Sequence, residues 1–569
     1  MKRLFDSLLA GLSAMMLQMR FIVILFLSVL TAFAQTAQEQ RIINRHMSYD
    51  QAVRDTRTFI NLLEDTHPDP YTAYGGRIEF RRKAQAILTG LPKEGLTVGD
   101  LAMRLNELIL PLPGHTSLYL VRRILSENDP WLPIQFSMTA DAPVLTATDL
   151  KEFEGLIGYR LAGVNGHTME KIIQTMHHRD MRMENRMGDM RIAAGVGTSR
   201  KFLLGYFPGD DPDQVIFQLQ APSGAIVERS VSWKERRWFQ PDKCLFPQPP
   251  RWPSLPASDD PYFTKIFDQP KAAYLRVADI MGREAYEVAW RSKVGDVREM
   301  LKDYYGRQNK TAPEDIAMAL QGVPSFFDAA THLLTEMKQQ QIPTLIIDLR
   351  GNYGGWSQSV DPFFALLYGD AFYRKDFPGQ YITRQSALFL QKHNVTVDEW
   401  RRKTGNPLFE PGDYSFETAG DHASGPPEGR RAKALADYKQ AGYSFAAALE
   451  ALNGQPLYQP KSIVVLTDQG TYSAAFHFLY CLHHMGAKSV GVPPMQSPNA
   501  FMELTEFTLP ESKLRGSIAN ALQLYMPENP KADTFPVTHP LTCEVFRRYG
   551  LDSETALRYA LDLVAAGKL

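Results

Sequence analysis

Two stretches of this 569-residue chain have residue types at spacings that could do chemistry. The first is Asp348-Leu349-Arg350-Gly351-Asn352-Tyr353-Gly354-Gly355, which follows the apolar run that starts at Thr344. Glycines let a backbone turn sharply and present its N–H groups, and such groups at a helix start suit a developing oxyanion. A plain strand-to-helix loop is the simpler reading of the same motif. A phosphate loop is disfavoured, because the pattern G-x-x-x-x-G-K-[ST] is missing. The second is Leu466-Thr467-Asp468-Gln469-Gly470-Thr471-Tyr472-Ser473-Ala474-Ala475. A buried-type strand, a turn and then a serine put a hydroxyl at the C-terminal edge of a sheet, in the positive field of a helix N-terminus. Against this, serine is a common N-cap, and the stretch is not the G-x-S-x-G elbow of α/β-hydrolases.

A serine hydroxyl is a poor nucleophile until a base takes its proton. A histidine suits that part, since an imidazole titrates at about 6.5. The plain reading of His115, in Gly114-His115-Thr116-Ser117, is a structural histidine at a strand start. A third group must orient the ring. His477, His483 and His484 form no H-E-x-x-H or other ligand spacing, so no metal and no cofactor are expected. Cys244, Cys481 and Cys543 are few and far apart, which is not a disulfide framework. Cys481 lies in an apolar stretch and reads as a small buried hydrophobe.

The elements that must position these residues can be read from periodicity. Apolar residues at helical spacing predict three helices within 47–110, with His67-Pro68 ending the first and Thr97 capping the third. Alternation at Thr116 to Val121, Ile134 to Met138 and Val144 to Ala147 predicts strands, and Asn165-Gly166 predicts a tight turn before a helix at Met169 to His177. From Ala272 the order becomes strand, helix, strand, as in a parallel sheet: strands at Ala272 to Val277, Thr344 to Leu349, Ser462 to Thr467 and Lys488 to Val492, with helices at Ser325 to Gln340, Val360 to Leu367 and Ser473 to Met485. Residues 370–457 read as a polar, irregular insertion.

This gives a multidomain α/β chain, because 569 residues exceed one hydrophobic core. The expected divisions are a signal peptide at 1–34, a helical domain at 41–114, a β-rich domain at 115–240, a proline-rich linker, and an α/β core at 262–569. Lys2-Arg3, a second basic start at Met19-Arg20 and the apolar run Phe21 to Ala34, closing on Ala32-Phe33-Ala34, describe a secretory signal. The run is short for a bilayer span, which takes roughly 20 apolar residues. Export to the periplasm or medium is therefore expected, without a lasting membrane anchor. With 62 basic against 63 acidic residues and a net charge of -1, the chain lacks the basic footprint of a nucleic-acid binder.

The Asp348–Gly355 stretch, taken with Val464 to Thr467 and Thr471-Tyr472-Ser473-Ala474-Ala475, resembles the tail-specific (C-terminal processing) protease family of serine peptidases. Ala272 to Val277, the helical 49–110 segment ending in Gly114-His115-Thr116, and Phe507 to Leu514 are similar to other parts of that family. The resemblance implies a crotonase-like (ClpP-like) α/β core, with a β-rich domain that either replaces the family's PDZ-like module or is a diverged form of it. It implies Ser473 as nucleophile, and Gly354, Gly355 and the Ala474 N–H as oxyanion donors, with Gly354 favoured. One branch of the family uses a Ser–Lys dyad, but Val490 to Asn499 holds no lysine and Ser497 stands nearest the expected place. The tricorn-like Ser/His branch fits better. It implies His115 as general base and a carboxylate after the core, Glu528 first and Asp533 second. The function implied is hydrolysis of peptide or protein substrates through an acyl-enzyme. A catalytically inactive binding protein for a peptide or apolar ligand is the alternative, and an acyl-CoA enzyme of the same core fold conflicts with export.

Overall fold

The computed structural model describes residues 41–112, 114–124, 131–237, 255–256, 258, 260–292, 296–418 and 425–569. The expected signal peptide, Cys244 and most of the proline-rich linker lie outside the described residues.

Six strands form the central sheet, in the order Thr264–Phe267, Ala272–Arg276, Thr344–Asp348, Ser462–Thr467, Lys488–Gly491, His539–Pro540. The first pair is antiparallel and the others are parallel, with Ile347 opposite Val465 and Asp348 opposite Leu466. Strands covered on both faces need apolar residues at every position. Here Leu345, Ile347, Ile463 and Val465 face the helices Phe326–Gln340, Asp361–Tyr368 and Ala474–His484. Tyr274, Ile346, Val464, Leu466 and Val490 face Leu557 and Leu561 of the C-terminal helix Thr555–Ala565. Each such Leu, Ile or Val contributes about 1.5–3 kcal/mol on burial.

The helix that follows Ser473 is fixed from behind by aromatic rings. Phe478 is fully buried and meets Phe363 and Phe364 edge-on, with centroids 5.5 and 5.3 Å apart. Edge-on pairs of this kind add about 0.5–1.5 kcal/mol each beyond their buried area.

A second sheet runs Asp413–Thr418, Gln380–Gln385, Arg515–Leu524, Asn499–Thr508, with Ser117–Leu118 joined to Gly516 and Ser517. A third holds Ile134–Met138, Pro143–Thr148, Arg160–Val164, Gln214–Gln220 and Ile226–Ser232. The Asn165-Gly166 turn is present, with both residues at positive φ (51° and 78°) and Val164 opposite His167. The predicted helices appear at Tyr49–Thr66, Arg77–Thr89 and Val98–Asn106, and Thr97 caps the last by accepting the Asp100 N–H.

Two expectations about elements need correction. The strand expected at Thr116 to Val121 is confined to Ser117–Leu118, after which the chain turns helical over Tyr119–Ile124. Among the described residues only Gly516 and Ser517 offer it strand partners, so the pairing stops there. The described residues of 370–457 are regular, not irregular. They carry strands Gln380–Gln385 and Asp413–Thr418, which widen the second sheet, and the helices Asp370–Arg374, Ala387–Lys392, Val397–Thr404, Pro427–Ala441 and Ala446–Ala451. Thr396 and Glu399 form a reciprocal capping box at the third of these, a spacing the sequence already displays.

Candidate active site

The strand ends at Asp348 and Thr467 leave the sheet side by side, and their loops are laced together. The Leu349 N–H donates to the Leu466 carbonyl (3.0 Å), and Thr471 Oγ1 donates to the Leu349 carbonyl (3.0 Å). Asp468 Oδ1 accepts the N–H groups of Gly351 and Gly470, both at 2.9 Å. Burial lifts the Asp468 carboxyl above its ordinary range, against the pull of those N–H groups and of Arg350. Burial also opposes ionisation of Asp348, yet Arg350 beside it holds that carboxyl below its ordinary range. The Arg350 fork donates to Asp348 Oδ1 and Oδ2 at 2.8 and 2.6 Å, and Tyr274 adds a third bond at 2.7 Å.

Asn352 is fully buried and holds the glycine turn in place. Its Nδ2 donates to the Val277 carbonyl (2.8 Å), its Oδ1 accepts the Gly354 N–H (2.8 Å), and its carbonyl accepts the Tyr472 N–H (3.0 Å). Gly354 has φ 104°, and a Cβ there would lie 2.7 Å from Ser473 Cβ and 2.8 Å from Ala474 N. The glycine turn and Ser473 therefore touch, although they are far apart in sequence.

Ser473 has φ 54° and ψ −122°. A non-glycine residue at positive φ, on a sharp strand-to-helix turn, is strained, and such strain concentrates at functional sites. Serines of the nucleophile elbow stand on the same kind of turn. The plain reading of Ser473 as an N-cap does not hold, since its side chain caps nothing and makes no hydrogen bond among the described residues. Its N–H instead donates to Oε1 of the buried Gln496.

His115 reaches this corner through the second sheet. Its N–H donates to the Phe501 carbonyl (3.0 Å), and the next residue, Thr116, accepts the Ala519 N–H (3.0 Å). The imidazole lies parallel to the Tyr472 ring, with centroids 5.3 Å apart and planes 14° apart. Nε2 is 2.7 Å from Tyr472 Oη and 3.1 Å from Glu184 Oε1, and Tyr472 Oη also donates to Glu184 Oε1. The side chains of His115 and Glu184 are 16% and 7% exposed, so this contact is screened from solvent.

The structure thus brings Ser473, Ala474, Gly354, Gly355, Tyr472 and His115 to one corner. The Gly354 N–H, the favoured oxyanion donor, is turned to Asn352 Oδ1, whereas the N–H groups of Gly355 and Ala474 make no hydrogen bond among the described residues. Neither expected carboxylate lies on His115. Glu528 is felt by Tyr480 and His484, because the turn that carries it is tied down by Asn499 to the carbonyls of Met526 and Asn529. Asp533 accepts the Arg186 N–H. The carboxylate on His115 is Glu184, on the connection between helices Met169–Arg179 and Arg186–Val196. Ser497, nearest the place expected of a lysine, holds that connection. Its N–H donates to Glu184 Oε2 (3.2 Å) and its Oγ to the Glu184 carbonyl (2.8 Å).

Sequence reading missed Glu184, Asn352 and Gln496. Gln496 stands in the stretch searched for a lysine and could have been noticed as its polar substitute. Glu184 offers no spacing signal, since nothing in Met181-Arg182-Met183-Glu184 ties it to a histidine in another part of the chain. Among the described residues, no group of His, Cys, Asp and Glu side chains is placed to hold a metal ion. No described helix is long and apolar enough to cross a membrane.

Residues 323–507, which hold the glycine turn, Ser473 and Gln496, match the model of Peptidase family S41. The chain carries an S41 peptidase domain. By that domain it is a serine-type peptidase. Among solved structures, mature CPAF aligns with 92% of this chain and 97% of its own at 14% identity and a TM-score of 0.48. The photosystem II D1 C-terminal processing protease aligns over 89% and 96% at 12% identity and a TM-score of 0.36. The tricorn protease aligns over 91% of this chain and 37% of its own at 10% identity and a TM-score of 0.28. No curated protein matches the chain.

Proposed function

We propose that this S41 protein is an exported peptidase that works through an acyl-enzyme on Ser473 with His115 as general base. The observation that carries the reading is the backbone of Ser473: a strained strand-to-helix turn, against a glycine turn, with the hydroxyl uncommitted. Ser473 Oγ attacks the peptide carbonyl as His115 takes its proton. The carbonyl oxygen becomes an oxyanion beside the Ala474 N–H and the glycine turn, where Gly355 is the available donor. The C–N bond breaks as His115 returns the proton to the leaving amine. Water then attacks the ester as His115 takes its proton, and the ester C–O bond breaks as His115 passes that proton to Ser473 Oγ, which releases the peptide acid. Fully buried parallel strands with helices on both faces support a crotonase-like core. The 134–232 sheet serves as a diverged counterpart of a PDZ-like module that holds the substrate chain. The Lys2-Arg3 and Phe21–Ala34 stretches support export to the periplasm or medium.

Fluorophosphonate labelling with mass spectrometry tests the chemistry. An adduct on Ser473 that is lost in Ser473→Ala and strongly reduced in His115→Ala supports the mechanism. A folded wild-type protein that takes no label overturns it and leaves the binding-protein alternative.

A further inference from the structure

Three polar atoms meet at the side chain of Tyr472, the residue before Ser473: His115 Nε2, Tyr472 Oη and Glu184 Oε1. Counting their protons decides what the histidine can do. A carboxylate only accepts, and a phenol has one proton to give. That proton goes to Glu184, because Tyr472 Oη donates to Oε1. Nε2 then faces two oxygens, at 2.7 and 3.1 Å, both of them acceptors toward it. A bare Nε2 lone pair would be repelled by both. The contacts are favourable only if Nε2 carries the ring proton.

We infer that Glu184 and Tyr472 are positioning residues that hold His115 as its Nε2–H tautomer, so that Nδ1 is the atom that takes the proton of Ser473. This rests on the Ser473–His115 reading proposed above. A serine–histidine–carboxylate set usually has the carboxylate on Nδ1 and the serine on Nε2; here the two nitrogens exchange parts. His115 Nδ1 makes no hydrogen bond among the described residues. Glu184 is well fixed for its role: Ser497 holds both its carboxylate and its carbonyl, and its side chain is only 7% exposed. When Ser473 attacks, its O–H bond breaks, an Nδ1–H bond forms, and the resulting imidazolium keeps its Nε2–H on the Glu184 carboxylate. Glu184 and Tyr472 are the only titratable side chains in hydrogen-bond or ion-pair contact with the ring among the described residues.

The tautomer can be read directly. In the full chain labelled with 15N-histidine, with His115 assigned by its loss in His115→Gln, the expectation above the ring's titration is a protonated Nε2 and a bare Nδ1. The reverse pattern overturns the inference. Fluorophosphonate labelling of Ser473 supplies the second arm. Glu184→Gln should label about 10²-fold more slowly, with apparent probe affinity kept. The acid limb of its rate–pH curve should move to lower pH, because the imidazolium has lost its counter-charge. Glu184→Asp should recover part of the rate. A Glu184→Gln variant that labels at the wild-type rate overturns the inference. If wild type takes no label, the peptidase reading fails, while the nitrogen spectrum still decides the tautomer.

Discussion

Gly354 is the residue on which the corner turns. With φ at 104° and only 2.7 Å between the place a Cβ would occupy and Ser473 Cβ, there is no room for a side chain. Gly354→Ala should therefore displace Ser473 and Ala474 and slow fluorophosphonate labelling by about 10²–10³-fold, with the thermal transition moved by only a few degrees. His67 makes a different prediction. It is buried against the Phe501 ring, centroids 4.3 Å apart, with Nδ1 accepting the Asp69 N–H (3.2 Å) and Nε2 without a hydrogen bond among the described residues. Burial pushes its pKa down to about 3, with Asp69 opposing and Arg384 assisting. An unfolded histidine binds its proton near pH 6.5. Between those values the unfolded chain holds a proton that the folded chain lacks, so folding stability falls as pH drops below 6.5, by up to about 1.4 kcal/mol per pH unit. Melting curves at pH 7, 6 and 5 should display that slope, and His67→Gln should flatten it. At this scale the sequence singled out Ser473 and the glycines by their types and positions, and His115 by family resemblance. It could not disclose Glu184, whose part depends on a contact between distant segments, nor that Asn352 takes the Gly354 N–H.

At the scale of elements, the Ser473 helix is held by what lies behind it. Phe478 fills the space between Phe326, Phe363 and Phe364. Phe478→Ala should cost about 3–5 kcal/mol, seen as a lower melting temperature and earlier proteolysis. It should also slow labelling of Ser473 more than a surface substitution of equal size would. The core elements were legible because their signals are local: Ser462–Thr467 is a continuous apolar run, and Ser325 precedes a helix whose first turn it caps. Residues 370–457 were misread because their strands are polar and alternate weakly. Tyr381 and Ile382 form a strand because Gln523 and Leu522 stand opposite on one side and Glu417 and Phe416 on the other.

For the whole molecule, the first helices and the last hairpin share one apolar core. Phe59, Leu63, Leu101 and Leu105 pack with Phe507, Leu509, Leu514 and Ile518. Asp55 also accepts the N–H groups of Glu511 and Ser512 at 2.9 and 2.6 Å. A chain beginning at residue 262 would expose that hairpin, so it should be poorly soluble and take no fluorophosphonate, whereas the chain from residue 41 should be soluble and label. The sequence marked the change of texture between these regions but not their partnership, since contacts between the two ends leave no periodic trace. The pairing of Ser117 and Leu118 with Gly516 and Ser517 also sets an order in time. On the proposed mechanism His115 cannot reach its station until the strand Arg515–Leu524 has been made and folded, so a chain still emerging from the ribosome holds Ser473 without its proton acceptor. On that mechanism, synthesis itself keeps the peptidase idle until the Arg515–Leu524 strand is in place.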